Sequence, residues 1–249
     1  MNKKLPPEFK RKIFRSGLPR TPAEELQAVR RTVFLHLHPT RMPANRMKIS
    51  FTWCLGGLSF LLFLVTVFTG ALLMIYYRPT LENAYTDILD LRYTVFLGQF
   101  LRNVHRWAGH GIVITVVLHM LRVFFTGSYK PPREFNWIIG VGLLLIVMAF
   151  AFTGYLLPWD QISYWGTRVG TSLLHSFPLL GADGPFGSEL GFSYNRDLSV
   201  FLLGDSDLGP RALIRFYTLH VFILPLLAGI FLMVHFWRVR KDGKLALKL

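Results

Sequence analysis

Apolar residues fall in four long blocks, near 51–76, 101–125, 137–157 and 213–237, separated by segments rich in charge, Gly and Pro. Each block is near or above the ~20 residues a helix needs to cross a ~30 Å hydrocarbon core. None carries an acidic residue, and the basic residues lie near the ends. The pattern predicts an all-α integral membrane protein with four transmembrane helices, here spans A to D. Span A is too long, and starts too late, for a signal peptide. Pro225 inside span D predicts a kink that a membrane helix tolerates. Two units follow: a basic segment 1–48, with a surface helix expected at Ala23–Arg31, and a four-helix domain 49–249. The C–D connection, Asp160–Gly209, is long, polar and Gly-rich. Long ordered loops tend to be functional, and its aromatic opening predicts a surface helix at the membrane interface.

Composition narrows the classes. Of 249 residues, 52% are hydrophobic and 17% charged, which excludes a disordered chain. A single Cys excludes a disulfide framework, a four-Cys zinc site and a Cys-ligated iron–sulfur cluster. The formal net charge of +14 is unevenly placed. With four crossings, both termini and the B–C turn share one side. That side carries the basic segment 1–48, Arg122, Lys130, Arg133 and the basic C-terminus. The other side is close to neutral. The positive-inside rule then puts both termini on the cytoplasmic, negative side. The charge is a topology signal and a match to anionic lipid headgroups. No soluble basic fold for nucleic acid is visible.

Span B carries His105 and His119, and span D carries His220 and His235. The intervals are 14 and 15 residues. At ~100° per residue, 14 falls within ~40° of four full turns and 15 overshoots by ~60°. Each pair therefore lies on roughly one face, its members ~21 Å apart along the axis. Spans B and D run in the same direction. His105 and His220 thus share the outer level, and His119 and His235 the inner one. Two facing imidazoles at one depth suit bis-His ligation of haem, and two such sites make a wire for electrons across the bilayer. The alternative is four unrelated polar residues packed between helices. Zinc fits less well, because the levels are too far apart and no acidic or Cys ligand is near.

Gly56 and Gly70 on span A are 14 apart, as are Gly140 and Gly154 on span C. A glycine at each level lets a flat macrocycle approach the backbone; ordinary close helix packing is the other reading. Arg102 and Arg106 flank His105, and Arg122 follows His119. They suit haem propionates, or snorkel to the interface.

Longer strings carry a resemblance. They are Cys54-Leu-Gly-Gly57, Tyr76-Tyr-Arg-Pro-Thr80, Val104-His-Arg-Trp107, Lys130-Pro-Pro-Arg-Glu134, Thr153-Gly-Tyr-Leu-Leu-Pro-Trp-Asp-Gln161, Arg215-Phe-Tyr and Leu219-His-Val. Over residues 45–249 the chain resembles cytochrome b6, the short four-helix form of the cytochrome b family of quinol-oxidising bc and bf complexes. The resemblance implies a dihaem bundle. Its outer, low-potential haem b would be held by His105 and His220, and its inner, high-potential haem b by His119 and His235. It implies a haem c attached covalently to Cys54; a small buried free Cys is the plain alternative. It implies that Pro158, Trp159, Asp160 and Tyr164 wall an outer quinol-oxidation pocket, and that Arg240 lies on the inner quinone and haem side.

The implied activity is quinol oxidation by a cytochrome c or plastocyanin-like reductase, coupled to proton translocation. Partners implied are a Rieske iron–sulfur protein, a c-type cytochrome, membrane lipid and a second copy of the complex. The implied location is a bacterial cytoplasmic membrane or a thylakoid-type membrane. The family's quinol site also uses a Pro-Glu-Trp-Tyr string, which is missing here and implies a separate subunit-IV-like chain. His36, His38 and Pro39 stand where b6 has an acidic residue suited to proton uptake, and the segment 176–209 matches poorly. Another dihaem membrane cytochrome, anchoring a dehydrogenase or ferric reductase, would explain the four histidines but not Pro158–Gln161 or Cys54. A transporter or structural subunit would leave the paired histidines unused.

Overall fold

The computed structural model describes residues 21–23 and 53–245, with side chains to Asp242. The segment 1–48 as a unit, the rest of the expected helix Ala23–Arg31, and His36, His38 and Pro39 lie outside the described residues. The described residues are helical, with no strand among them. The chain divides into two units. One is Thr52–His235; the other joins Met1–Phe51 with Phe236–Leu249.

In the larger unit α1 (Leu55–Leu73) is span A and α2 (Ala84–Tyr93) follows it. Span B is α3 (Gly98–Phe125) and span C is α4 (Glu134–Leu156). The C–D connection holds α5 (Gln161–Ser172), a 3₁₀ turn Leu173–Ser176 and α6 (Leu198–Leu203). Span D is α7 (Pro210–Thr218), a π turn Leu219–Ile223 and α8 (Leu224–Leu245). All four spans are long and apolar enough to cross a membrane.

The ends differ from the sequence expectation for identifiable reasons. Span A starts at Leu55, because Trp53 and Cys54 both adopt left-handed backbone with φ of 51°. It ends at Leu73, and the chain then turns toward Pro79, whose ring disfavours helix before it. Span B starts three residues early, at Gly98, after left-handed Leu97. Glu134 opens span C, where an acidic side chain complements the helix dipole. Pro158 closes that span after Leu157. Span D opens at Pro210, with proline at a first-turn position that asks for no N–H. Pro225 cannot donate to Val221 and its ring crowds that carbonyl; the wide π turn just upstream absorbs the conflict.

Packing is uneven. Leu156, Leu203, Leu208, Ala212 and Phe216 form a buried cluster where α4, α6 and α7 meet, with Phe152, Leu157, Trp159 and Tyr164 against it. Along the spans, large apolar side chains such as Leu61, Phe68, Ile114, Leu145 and Phe222 are exposed, as lipid contact requires. Ser59 donates to Thr115 across α1 and α3 at 2.9 Å. In the segment 176–209, Asp197 caps α6 by accepting from the Val200 N–H at 3.1 Å and pairs with His175. In the smaller unit, Arg238 pairs with Asp242 one turn on at 3.3 Å, and Lys241 sits 5.0 Å from the Trp237 ring centre.

The helix α2, absent from the sequence expectation, is pinned by one ion pair. Arg78 grips the buried Asp87 through its guanidinium at 2.6 and 3.1 Å and through its backbone N–H at 2.7 Å. The Arg78 side-chain hydrogen bond holds the Asp87 carboxyl below the ordinary carboxylate range. A depressed folded-state value means that ionised Asp87 stabilises the fold above the unfolded value of about 4, and that this is lost as pH falls through the lower folded value. Acidification from about pH 5 toward 2 is therefore expected to speed amide exchange in Ala84–Tyr93 before α1 or α3. Asp87→Asn should do so already at neutral pH. Hydrogen exchange read by mass spectrometry checks both.

Candidate functional site

The four histidines occupy two levels inside the larger unit, each on a helix that faces a glycine-bearing neighbour. At one level the rings of His105 and His220 are 6.2 Å apart, centre to centre, at 66°. A Cβ built on Gly70 of α1 would stand 3.1 Å from Cε1 of His105, and one built on Gly154 of α4 2.6 Å from Cε1 of His220. At the other level a Cβ on Gly56 would stand 3.2 Å from Cε1 of His119, and one on Gly140 3.8 Å from Cε1 of His235. His119 and His235 are electrostatic neighbours. The structure brings all four sequence-predicted glycines against the four histidines. At Gly56, Gly70 and Gly154 the edge of an imidazole fills the space the missing side chain leaves, and at Gly140 Met120 Sδ, at 3.6 Å, shares it.

The π turn settles the spacing on span D. His220 lies within Leu219–Ile223. A π turn takes an extra residue per turn, so the interval of 15 to His235 advances about as far as 14 α-helical residues. Both imidazoles of span D thus point to the same side, as those of span B do.

Hydrogen bonds orient the first level. The Thr69 hydroxyl donates to the Val65 carbonyl at 2.7 Å and lies 3.0 Å from Nδ1 of His105. The Thr153 hydroxyl donates to the Ala149 carbonyl at 2.7 Å and lies 3.2 Å from Nδ1 of His220. Each hydroxyl has spent its one hydrogen on a carbonyl, so it accepts from the ring. The carbonyls of Thr66 and Phe150 lie in the electrostatic surroundings of the same two rings. Nδ1 is the protonated nitrogen in both, and Nε2 keeps its lone pair for a metal. Phe150 stands edge-on to His220 at 5.5 Å, and Phe63 stands 6.3 Å from Phe150.

This donor set fits an iron porphyrin. Two imidazoles bound through Nε2 on opposite sides of one iron, at ~2 Å each, have ring centres about 6 Å apart, which is the separation seen. Neutral imidazoles with tautomers fixed by outer hydrogen bonds are the ligands such an iron takes. Among the described residues no cluster of three His, Cys, Asp or Glu could hold a bare metal ion.

The predicted arginines divide. Arg122 lies over the Trp53 ring at 5.9 Å, next to Cys54, and so stands at the His119 level. Arg106 reaches over Trp107 at 6.0 Å, while Arg102 is partly buried within electrostatic reach of Asp160. Arg240 belongs to the smaller unit, partly buried on α8. Cys54 is exposed, and its carbonyl accepts the Leu58 N–H that opens α1.

At the end of span C, Trp159, Asp160, Gln161, Tyr164 and Trp165 line one recess. Trp159 has left-handed backbone, φ 52°, and meets Tyr164 edge-on at 5.7 Å. Asp160 caps α5: it accepts from the Ser163 N–H at 2.8 Å, and its own N–H donates to the Ser163 hydroxyl at 3.0 Å. Arg168 is 3.4 Å from the Tyr164 hydroxyl and pairs with Asp207 at 2.5 Å.

Two groups were missed from sequence. Thr69 and Thr153 each precede one of the glycines; the repeated Thr-Gly pair, on two spans at one depth, was the available signal. Tyr77 is the other: it donates to the Leu157 carbonyl at 2.6 Å and stacks on Tyr217 at 5.7 Å. It supports the segment just before Pro158.

The sequence matches the family model for cytochrome b/b6/petB over residues 41–243. Among solved structures it is similar to a chain of a hyperthermophilic respiratory Complex III, at 27% identity and a TM-score of 0.67, with 76% of this chain covered. The match takes in 47% of that longer chain, so this one spans about half its length. With the family match running through all four spans and the histidines paired between the second and fourth, the chain belongs to the cytochrome b/b6/petB family of integral membrane proteins.

Proposed function

We propose that the chain is the transmembrane electron-transfer subunit of a bc-type quinol oxidoreductase. In this reading His105 and His220 hold an outer haem b, and His119 and His235 an inner one. The carrying observation is the His105–His220 pair, 6.2 Å apart with both Nδ1 atoms hydrogen-bonded outward. A haem held by these two imidazoles would supply one-electron transfer. The chain's own residues do the rest. The imidazoles fix the two irons at separate depths, and the glycines let the ligand-bearing helices come close. Exposed apolar flanks seat the whole in lipid. The family membership and the similarity to a respiratory Complex III chain support this reading.

The finer parts rest on position. Arg102, Arg106 and Arg122 suit the propionates of the two haems. The recess lined by Trp159, Asp160 and Tyr164, with Pro158 just before it, forms one wall of an outer quinol-oxidation site, and Arg240 serves an inner quinone. Cys54 carries a third haem through one thioether bond. Its exposure and its place beside Trp53 and Arg122, two residues before the glycine that meets His119, support that. A subunit-IV-like chain carrying a Pro-Glu-Trp-Tyr string, a Rieske protein, a c-type cytochrome and a second copy of the complex would complete the assembly. Quinol oxidation outside and quinone reduction inside would couple electron flow to proton translocation. Both termini then face the negative side of a bacterial cytoplasmic membrane.

Purified complex should show two b-type haems per chain by pyridine haemochrome assay; none would overturn the reading. His119→Ala is expected to halve that count and to slow electron flow across the bilayer. The His105 site should still be reducible by quinol, followed by stopped-flow absorbance.

Cys54→Ala should abolish any haem that survives denaturing gel electrophoresis while both extractable b haems remain. Pigment unchanged on such a gel would remove Cys54 from the ligand set.

A further inference from the structure

We propose that Thr69 and Thr153 lower the reduction potential of the site that His105 and His220 build. The inference rests on the reading that these two imidazoles hold an iron porphyrin. Both threonines are buried, and they stand in matching places on α1 and α4, each immediately before the glycine that admits an imidazole. A hydroxyl has one hydrogen and two lone pairs. Each threonine points its hydrogen back at the carbonyl four residues earlier, Val65 or Ala149, at 2.7 Å. The oxygen therefore shows the ring a lone pair, at 3.0 Å for His105 and 3.2 Å for His220.

An acceptor on Nδ1–H draws the proton outward and leaves more electron density at Nε2, which raises ligand basicity. A more basic ligand favours the more positively charged state of the metal, so the site gives up its electron more readily. The effect is applied twice, once from each side of the same metal. The other level is built differently. The residues before Gly56 and Gly140 are Leu55 and Ile139, which have no hydroxyl to place there. The two threonines thus act on one level only. They bias an electron at the His105 site toward the His119 site, acting as positioning residues through the histidines they touch.

The test uses the assembled complex and an optical redox titration of its b-type absorbance. Thr69→Val and Thr153→Val keep the shape and remove the acceptor; Thr→Ser at each position keeps it. Each Val variant is expected to raise the lower-potential component by up to a tenfold change in its reduction equilibrium, about 59 mV for one electron. The double variant should shift it further. The Val variants leave the histidines and their glycine-bearing walls in place, so a shift is expected rather than loss of pigment. The higher-potential component should stay put, and the Ser variants should titrate as wild type. If a Val variant assembles without its pigment, Thr→Ala, which adds no bulk, is titrated in its place. The inference is overturned if the lower component does not move, if both move equally, or if Ser shifts it as far as Val. Wild-type complex without two b-type components would overturn the proposed function instead, so the two failures are distinguishable.

Discussion

The helix contacts made by the four histidines share one steric requirement: an imidazole edge lies against bare backbone on the neighbouring helix. At Gly154 a Cβ would come within 2.6 Å of the His220 ring, and at Gly70 and Gly56 within 3.1 and 3.2 Å of His105 and His119. At Gly154 the ring or the helix would have to move, and at Gly70 and Gly56 the ring would have to give by a few tenths of an ångström. The requirement divides the four spans into two kinds. Spans B and D carry the histidines, while A and C are walls thinned by glycine at the same heights. Gly140 is the loosest of the four, at 3.8 Å from His235, with Met120 Sδ at 3.6 Å filling the gap. A flexible thioether suits such an irregular space.

The same requirement explains why span D is not a plain helix. A ligand helix whose histidines are 15 apart would turn one imidazole about 60° off the line of the other. The π turn at Leu219–Ile223 takes up the surplus residue, and Pro225, which cannot complete the hydrogen bond to Val221, stands just beyond it. A backbone irregularity that would cost stability in a water-soluble helix here returns both rings to one side. Tyr77 ties the chain after span A to the Leu157 carbonyl, which lies just past the last residue of span C. The ligand levels and the recess at Trp159 are therefore braced by the same walls.

Much of this was legible in sequence because membrane helices write their constraints in single residues. Four histidines in apolar spans, at intervals near four turns, have few uses, and glycines repeating at that interval on the other spans point at the same depths. The helix interiors were therefore readable, and their ends less so. Left-handed Trp53, Cys54 and Leu97 are not glycines, so nothing in their side chains announces a helix start. The helix α2 was hidden because its stability comes from Arg78 gripping Asp87 nine residues away, a contact that hydropathy does not register. Thr69 and Thr153 were overlooked for the opposite reason. A threonine in an apolar run satisfies its hydroxyl on its own helix, and only the fold shows that the second lone pair has an imidazole beside it.

Asp160 shows how a residue can sit at a site and yet be unsuited to part of its chemistry. Its place in the recess invites the role of proton acceptor for quinol under the proposed reading. Yet its carboxylate holds the first turn of α5 through the Ser163 N–H, in a reciprocal cap. Protonation would weaken that bond in each cycle and loosen the helix that carries Tyr164 and Trp165, two of the residues lining the recess. A carboxylate free of capping duty can gain and lose a proton without moving the wall it serves. The geometry thus suits Asp160 to holding the wall of the recess rather than to taking up a proton there.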